Sequence, residues 1–152
     1  MSRRFWRRWT QLSSGQRGAL LQAAPVMIAV RLWLWIVPLR YWNQRLKRMM
    51  SAAPDAQPNA HHVEIAWAVE RIGRVPHMTC LVQAIAGYVL LRRSGLFTRL
   101  CIGVRRDADQ FRAHAWLIDS RGDIIIGGQN GLAAFAAFDL DRGTESSFLK
   151  TL

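Results

Sequence analysis

The stretch that decides the fold is PHMTCLVQAIAGYVLLRRSGLFTRLCIGVRR, residues 76–106. Its first half predicts a long apolar helix over residues 80–93, because Thr79 can cap the start and Gly95 can end it. A turn over residues 73–79 leads into this helix. The second half changes character, and residues 97–104 (FTRLCIGV) predict a strand. The segment is therefore predicted to be a helix followed by a strand.

The residues that follow predict an antiparallel sheet. Residues 105–110 predict a polar loop, and residues 111–119 (FRAHAWLID) predict a second strand. Residues 120–122 predict a tight turn, and residues 123–126 (DIII) return as a third strand. The residues beyond 127 show no assignable pattern. Helices come first and strands follow, so we predict an α+β fold.

Upstream of the deciding stretch the chain divides into three parts. Residues 1–50 form a basic, apolar N-terminal region, with helices over residues 18–37 and 39–50 and with Ser13 or Ser14 as cap of the first. Residues 51–60 (SAAPDAQPNA) have the composition of a linker. A short helix over residues 62–72 then begins the core, which we predict to comprise residues 61–152.

The apolar segment over residues 18–37 is about long enough to cross a bilayer, which takes ~20 residues. Arg31 lies inside it, and a central Arg costs at least ~2.5 kcal/mol on insertion. Gln22 and Pro25 interrupt it as well. We therefore predict a helix that is buried or faces a partner. An interfacial helix, with Trp33 and Trp35 near lipid head groups, is the alternative.

The net charge of +11 is concentrated at one end of the chain. Residues 1–50 hold ten Lys and Arg and no acid, and the other 102 residues hold eleven basic and ten acidic groups, a net charge of +1. Such a region suits anionic lipid, nucleic acid or an acidic partner, or is simply a solvated face. No nucleic-acid-binding module is recognisable, so we do not predict nucleic acid as a partner.

The cysteines indicate a reducing compartment. Cys80 and Cys101 do not form a disulfide framework, and no signal peptide is evident at the start of the sequence. We therefore predict a cytoplasmic protein, and peripheral contact with the inner face of the membrane is the variant that the basic region suggests. Cys101 lies in the apolar stretch LCIGV and is predicted to be a core residue.

Cys80 stands where a predicted loop becomes a helix, which suits a nucleophile. The positive end of the helix dipole and the free N–H groups stabilise a thiolate and a developing oxyanion. His114, in the middle of the second predicted strand, is the natural base, and a helix-start Cys facing a strand His is the papain-like arrangement. His77 is predicted to be an exposed turn residue. His61 and His62 lack metal-ligand spacing, so no metal site is predicted.

The motifs resemble a known family. TCL (residues 79–81), LLRR-x-G (90–95), IGV (102–104) and AHAW (113–116) occur in order, and AWAVERIGRVP (66–76) precedes them. Together they are similar to the transglutaminase-like leader peptidases of lasso-peptide maturation, the B proteins, which are related to microcin-processing enzymes. The joint occurrence of TCL and AHAW at this spacing is far more specific than a lone Cys and His.

The resemblance implies a papain-like, transglutaminase-core fold and a cysteine protease that removes the leader from a ribosomally made precursor peptide. Cys80 would match the family nucleophile and His114 the family base, with no cofactor. The length resembles the short form of the family. That form works with a separate leader-recognition protein and passes the core peptide to an ATP-dependent macrolactam synthetase.

The third member of the site is the main departure. The resemblance implies an acid on the strand after the histidine, but the predicted turn places Gly128 or a neighbour opposite His114. Asp123 would lie five residues along the ladder, about 16 Å away at ~3.3 Å per residue. Gln129 or Asn130 could orient the imidazole instead. Asp119 and Asp139 remain candidates if the register differs, and a Cys–His dyad is the further alternative.

Two other functions stay open from the sequence. The same fold could catalyse transamidation or hydrolyse another amide. A non-catalytic papain-like scaffold, acting as a membrane-peripheral or adaptor protein, would account for the absent acid and the basic, Trp-rich first fifty residues.

Overall fold

The structure is a computed structural model that describes residues 11–36, 57–107, 110–128, 136–139 and 144–145. The predicted helix over residues 39–50 and most of the predicted linker lie outside these residues. Within the described residues three helices precede five strands, in agreement with the α+β prediction. They are α1 (Ser14–Ile36), α2 (Ala60–Gly73), α3 (Cys80–Arg93), β1 (Thr98–Asp107), β2 (Gln110–Asp119), β3 (Ile124–Ile126), β4 (Ala136–Asp139) and β5 (Thr144–Glu145).

Helix α1 begins with a reciprocal cap. The Ser13 hydroxyl accepts the Gln16 N–H at 3.0 Å, and the Gln16 side-chain oxygen accepts the Ser13 N–H at 3.0 Å. One stripe of the helix is buried and packs on α2 and α3, which makes α1 part of the same core as those helices. The stripe consists of Ala19, Ala23, Met27 and Val30. The predicted packing role is thus confirmed for one side of the helix only.

Helix α2 has a capping box in which a histidine replaces the usual Glu or Gln. The Asn59 side chain accepts the His62 N–H at 3.1 Å, and His62 Nδ1 accepts the Asn59 N–H at 3.1 Å. Because Nδ1 accepts, Nε2 carries the proton and donates to the Ser94 carbonyl at 3.2 Å. His62 is thereby buried with both nitrogens bonded, and it ties the start of α2 to the end of α3.

Helix α3 begins and ends where the sequence predicts. Thr79 is the N-cap, and its hydroxyl accepts the Val82 N–H at 3.4 Å. Gly95 follows the helix with a φ of 90°, and the Leu96 N–H donates to the Leu91 carbonyl at 3.0 Å. This is the glycine-terminated C-cap that a left-handed residue permits.

The strands form one antiparallel sheet in the order β3-β2-β1-β4-β5. The predicted loop over residues 105–110 is wrong, because β1 and β2 remain paired as far as Asp107 and Gln110. Ladder hydrogen bonds join backbone groups, so polar side chains do not end a strand when a partner continues beside it. Strands β4 and β5 had no sequence assignment.

Helix α3 lies close against the sheet at Gly87. A Cβ at this position would overlap the side chain of Ile126 and would lie 3.1 Å from a methyl group of Leu117. Both residues belong to the buried core, on β3 and β2 respectively. The close approach fixes α3 against the strand that carries His114.

Candidate active site

Cys80 and His114 line one cleft of about 200 Å³, where the start of α3 meets the β2–β3 hairpin and the end of α2. The structure therefore brings together the two residues that the sequence predicts as nucleophile and base. The lining residues are Glu70, Gly73, Arg74, Cys80, Gln83, His114, Ala115, Ile126 and Gly127.

Cys80 is the first residue of α3, and its thiol is free and partly exposed. The Thr79 hydroxyl accepts a hydrogen bond from the Val82 N–H, and the Thr79 carbonyl accepts one from the Gln83 N–H at 3.1 Å. By helix geometry, the N–H groups of Cys80 and Leu81 have no acceptor within the helix. Together with the helix dipole, they can stabilise a thiolate or an oxyanion at this end of the helix.

His114 is held in one tautomer by the backbone. Its Nε2 lies 2.9 Å from the carbonyl oxygen of Gly127, and the side chain is buried. A carbonyl can only accept, so Nε2 must carry the proton, and Nδ1 is left with the lone pair of the neutral ring. Nδ1 is therefore the atom of His114 that can act as a general base.

Trp116 supports the ring of His114. The two rings are stacked with their centroids 6.0 Å apart and an interplanar angle of 18°. Residues two apart on a strand share a face, so Trp116 lies on the same side of β2 as His114. Trp116 is itself buried, so this contact restricts the imidazole from one side.

Gly127 reaches His114 because β3 contains an irregularity. Ile118 pairs with Ile124, but Leu117 pairs with Ile126, so one extra residue stands opposite β2. Gly127 then has a φ of 90°, and a Cβ there would lie 2.9 Å from Cβ of Trp116. Only glycine fits this position without strain.

The sequence predicts Gly128 opposite His114 from an unbroken pairing of β2 and β3. The bulge shifts this pairing by one residue. A bulge of this kind leaves no mark in the alternation of apolar residues, and so the sequence does not reveal it. Gln129 and Asn130, the predicted amide candidates, lie outside the described residues.

Asp119 has a structural role instead of an orienting one. Its Oδ1 accepts the N–H groups of Arg121 and Asp123, both at 2.9 Å, and Oδ2 lies 3.6 Å from Nε of Arg121. The carboxylate therefore holds the β2–β3 turn together. It stands five residues from His114, about 16 Å along the strand and on the opposite face.

Asp139 lies on β4 and pairs with Cys101, which in turn pairs with Trp116. Two strand spacings therefore separate its backbone from that of Trp116, a distance of about 10 Å. Its side chain lies outside the described residues. Asp123 is exposed at the turn.

Gln83 both lines the cleft and supports the turn before Cys80. It lines the cleft, and its Nε2 donates to the carbonyls of Met78 at 3.1 Å and Gly73 at 3.4 Å. A side chain on Gly73 would overlap the Gln83 amide. This amide therefore ties the turn before Cys80 to the helix that Cys80 begins.

Other residues near the cleft behave as predicted, or were missed. His77 is an exposed turn residue with a φ of 71°, and Cys101 is buried. Glu70 and Arg74, one helical turn apart at the end of α2, line the cleft and were not anticipated. Their spacing of four residues on α2 is the only sequence signal for them. In the part of the chain that the structure describes, no three His, Cys, Asp or Glu residues are grouped to hold a metal ion.

Comparison with known proteins identifies the family of the chain. Residues 24–138 match the family model of the transglutaminase-like superfamily, and the match includes α2, α3, Cys80, His114, strands β1–β3 and all but the last residue of β4. No curated protein and no solved structure is similar enough to count as a match. The superfamily includes cysteine peptidases and transamidases. Since the match covers well over half of the sequence, the chain belongs to the transglutaminase-like superfamily.

Proposed function

We propose that this protein is a cysteine peptidase that removes the leader from a ribosomally synthesised lasso precursor peptide. The observation that carries the proposal is the shared cleft, in which a thiol at a helix start lies with a histidine whose Nε2 is bonded to a backbone carbonyl. The motifs TCL and AHAW supply the narrower substrate class.

In the proposed reaction, Nδ1 of His114 takes the proton of the Cys80 thiol, and the thiolate attacks the carbonyl at the leader–core junction. The N–H groups at the start of α3 stabilise the resulting oxyanion. The imidazolium then gives its proton to the leaving amine of the core peptide, which leaves the leader as a thioester on Cys80. Water, deprotonated by Nδ1, attacks the thioester and releases the leader as a carboxylic acid.

The products fit the proposed partners. Cleavage leaves the core with a free N-terminal amine, which an ATP-dependent macrolactam synthetase can then join to a side-chain carboxylate. The cleft of about 200 Å³ is smaller than typical ligand pockets of roughly 300–1,000 Å³. It can hold only the residues beside the scissile bond, which supports a separate leader-recognition protein as the source of affinity. Both proposed partners and the reduced thiol favour a cytoplasmic location.

The test is cleavage of a candidate lasso precursor, with the recognition protein present and products read by mass spectrometry. We expect Cys80→Ala and His114→Ala to abolish cleavage while they remain folded. Cys101→Ala and His77→Ala are matched controls, because the first removes a thiol and the second an imidazole outside the cleft. Full cleavage by the Cys80 variant would overturn the proposal. No cleavage by wild type with any partner would favour the non-catalytic scaffold.

Transamidation is the second candidate, because the superfamily includes such enzymes and Glu70 lines the cleft, where its carboxylate can attract an amine. The acyl-enzyme would then be resolved by an amine instead of water. Reaction in heavy-oxygen water distinguishes the two: hydrolysis labels the new carboxylate of the leader, whereas transamidation gives an unlabelled amide.

A further inference from the structure

The side of α1 that faces away from the protein core is apolar. Leu21, Ile28, Leu32 and Trp35 have exposed fractions of 66%, 52%, 53% and 83%. At about 100° per residue these four side chains fall within about 60° of one another around the helix axis. The buried stripe of α1 is centred on the opposite side, and so the helix has two apolar faces.

Charge is almost absent from this helix surface. The only charged side chains of α1 are Arg17 and Arg31, and both are partly buried. Surface helices of globular proteins normally carry charged and polar residues opposite the buried stripe. Helix α1 instead places Gln22, Pro25 and Ala29 beside its exposed apolar residues. One apolar face packs in the core of the protein, and the second is exposed and suits contact with another apolar surface.

The arrangement of α1 favours lying along a membrane over crossing it. Length and composition alone would allow Ser14–Ile36 to span a bilayer. However, its buried stripe packs against α2 and α3, which could not follow it into the hydrocarbon. Trp33, Trp35 and Ile36 are exposed at the C-terminal end of the helix, and tryptophan is enriched at membrane–water interfaces.

The charge of the sequence that contains α1 indicates which kind of surface the helix meets. Residues 1–50 contain ten Lys and Arg and no Asp or Glu, whereas the rest of the chain is nearly neutral. A basic sequence beside an apolar helix face is typical of segments bound at membrane surfaces, because an anionic bilayer attracts positive charge over its whole surface. We propose that α1 lies along an anionic lipid surface, with its exposed apolar face, centred on Leu21, Ile28, Leu32 and Trp35, in the head-group boundary. This inference does not rest on the proposed peptidase activity.

The experiment is co-sedimentation of the full chain with vesicles of phosphatidylcholine alone or mixed with phosphatidylglycerol. We expect binding to the anionic vesicles, weakened by added salt, and at least tenfold weaker binding to the neutral ones. Ile28→Glu with Leu32→Glu should reduce anionic binding at least tenfold, because both side chains are more than half exposed and belong to the apolar face. Circular dichroism establishes that the variant is folded.

Val63→Glu with Ile124→Glu is the matched control, since it adds the same two charges at exposed apolar residues of α2 and β3. It should bind the anionic vesicles within about twofold of wild type. Equal losses in the two double variants would overturn the role of the α1 face, as would equal binding of wild type to neutral vesicles. If wild type bound no vesicles, the lipid proposal would be refuted. If, in addition, the α1 variant alone failed to bind a leader-recognition protein, the face would be assigned to a protein partner.

Discussion

Replacing Gly127 with alanine tests whether the backbone of the β2–β3 hairpin orients His114, the proposed base. The φ of 90° is unfavourable for alanine by about 1–2 kcal/mol, partly offset by ~0.4–1 kcal/mol from reduced freedom of the unfolded chain. The new Cβ would also lie 2.9 Å from Cβ of Trp116 and 3.0 Å from the Ala115 carbonyl oxygen. Overpacking of this kind costs about 1–3 kcal/mol. We therefore expect the free energy of unfolding to fall by about 2–4 kcal/mol.

Gly122→Ala is the matched control. Gly122 has a φ of 93° at the turn of the same hairpin, but nothing lies within 4 Å of a Cβ built there. It should lose only about 1 kcal/mol from the backbone strain and keep full activity. The difference between the two variants in urea denaturation isolates the steric part of the Gly127 effect.

The functional readout is the protonation pattern of the His114 ring. Nitrogen NMR of wild type should show the neutral ring protonated at Nε2, because this atom donates to the Gly127 carbonyl. In folded Gly127→Ala we expect a mixture of tautomers and a kcat reduced about 10–100-fold, as lost positioning of a general base implies. A wild-type ring protonated at Nδ1 would refute this reasoning. So would a Gly127→Ala variant with unchanged kcat and tautomer.

Three further substitutions separate structural from catalytic roles. His62→Ala should lower the free energy of unfolding in urea denaturation by about 2–3 kcal/mol, because both nitrogens of the buried ring are bonded. His62→Gln can keep the cap and should lose about half as much, so equal losses in the two variants would contradict the capping role. Asp119→Ala should lower the free energy of unfolding by about 2 kcal/mol, because two hydrogen bonds of the turn are lost, and should leave kcat within about twofold of wild type. A hundredfold loss of kcat in the folded variant would instead place Asp119 in the catalytic machinery. Gln83→Glu places a carboxylate against two carbonyl oxygens, so it should lower the free energy of unfolding by about 1–3 kcal/mol and kcat at least tenfold, both by more than Gln83→Ala. Wild-type stability and kcat in Gln83→Glu would show that the amide does not position the turn.

The sequence predicts those parts of the fold that short-range chemistry determines. Thr79 and Gly95 bound α3 because a hydroxyl cap and a left-handed glycine are local requirements of helix ends. Cys80 could be placed for the same reason, since the residue after the cap necessarily stands at the helix start. His114 was found from its strand and from the family motif AHAW.

What could not be predicted depends on long-range backbone geometry. The extra residue in β3 alters the register without altering the apolar run of Ile124–Ile126, and so the orienting carbonyl of Gly127 has no sequence signature. The continuation of β1 and β2 through residues 105–107 and 110 arises from cross-strand pairing, which outweighs polar composition. The capping role of His62 was not predicted because the third position of a capping box is typically Glu or Gln.

The hydrogen bond between His114 and Gly127 has a consequence for how this site can vary. Its acceptor is a peptide oxygen, which every type of residue provides, and no side-chain substitution can delete it. A mutational scan across the hairpin would thus record Gly127 as a position where substitutions lower stability and activity, although none of them removes a functional side chain. Natural selection on the orientation of His114 then acts on the backbone conformation of Gly127. Substitutions elsewhere in the hairpin are tolerated as long as they preserve that conformation.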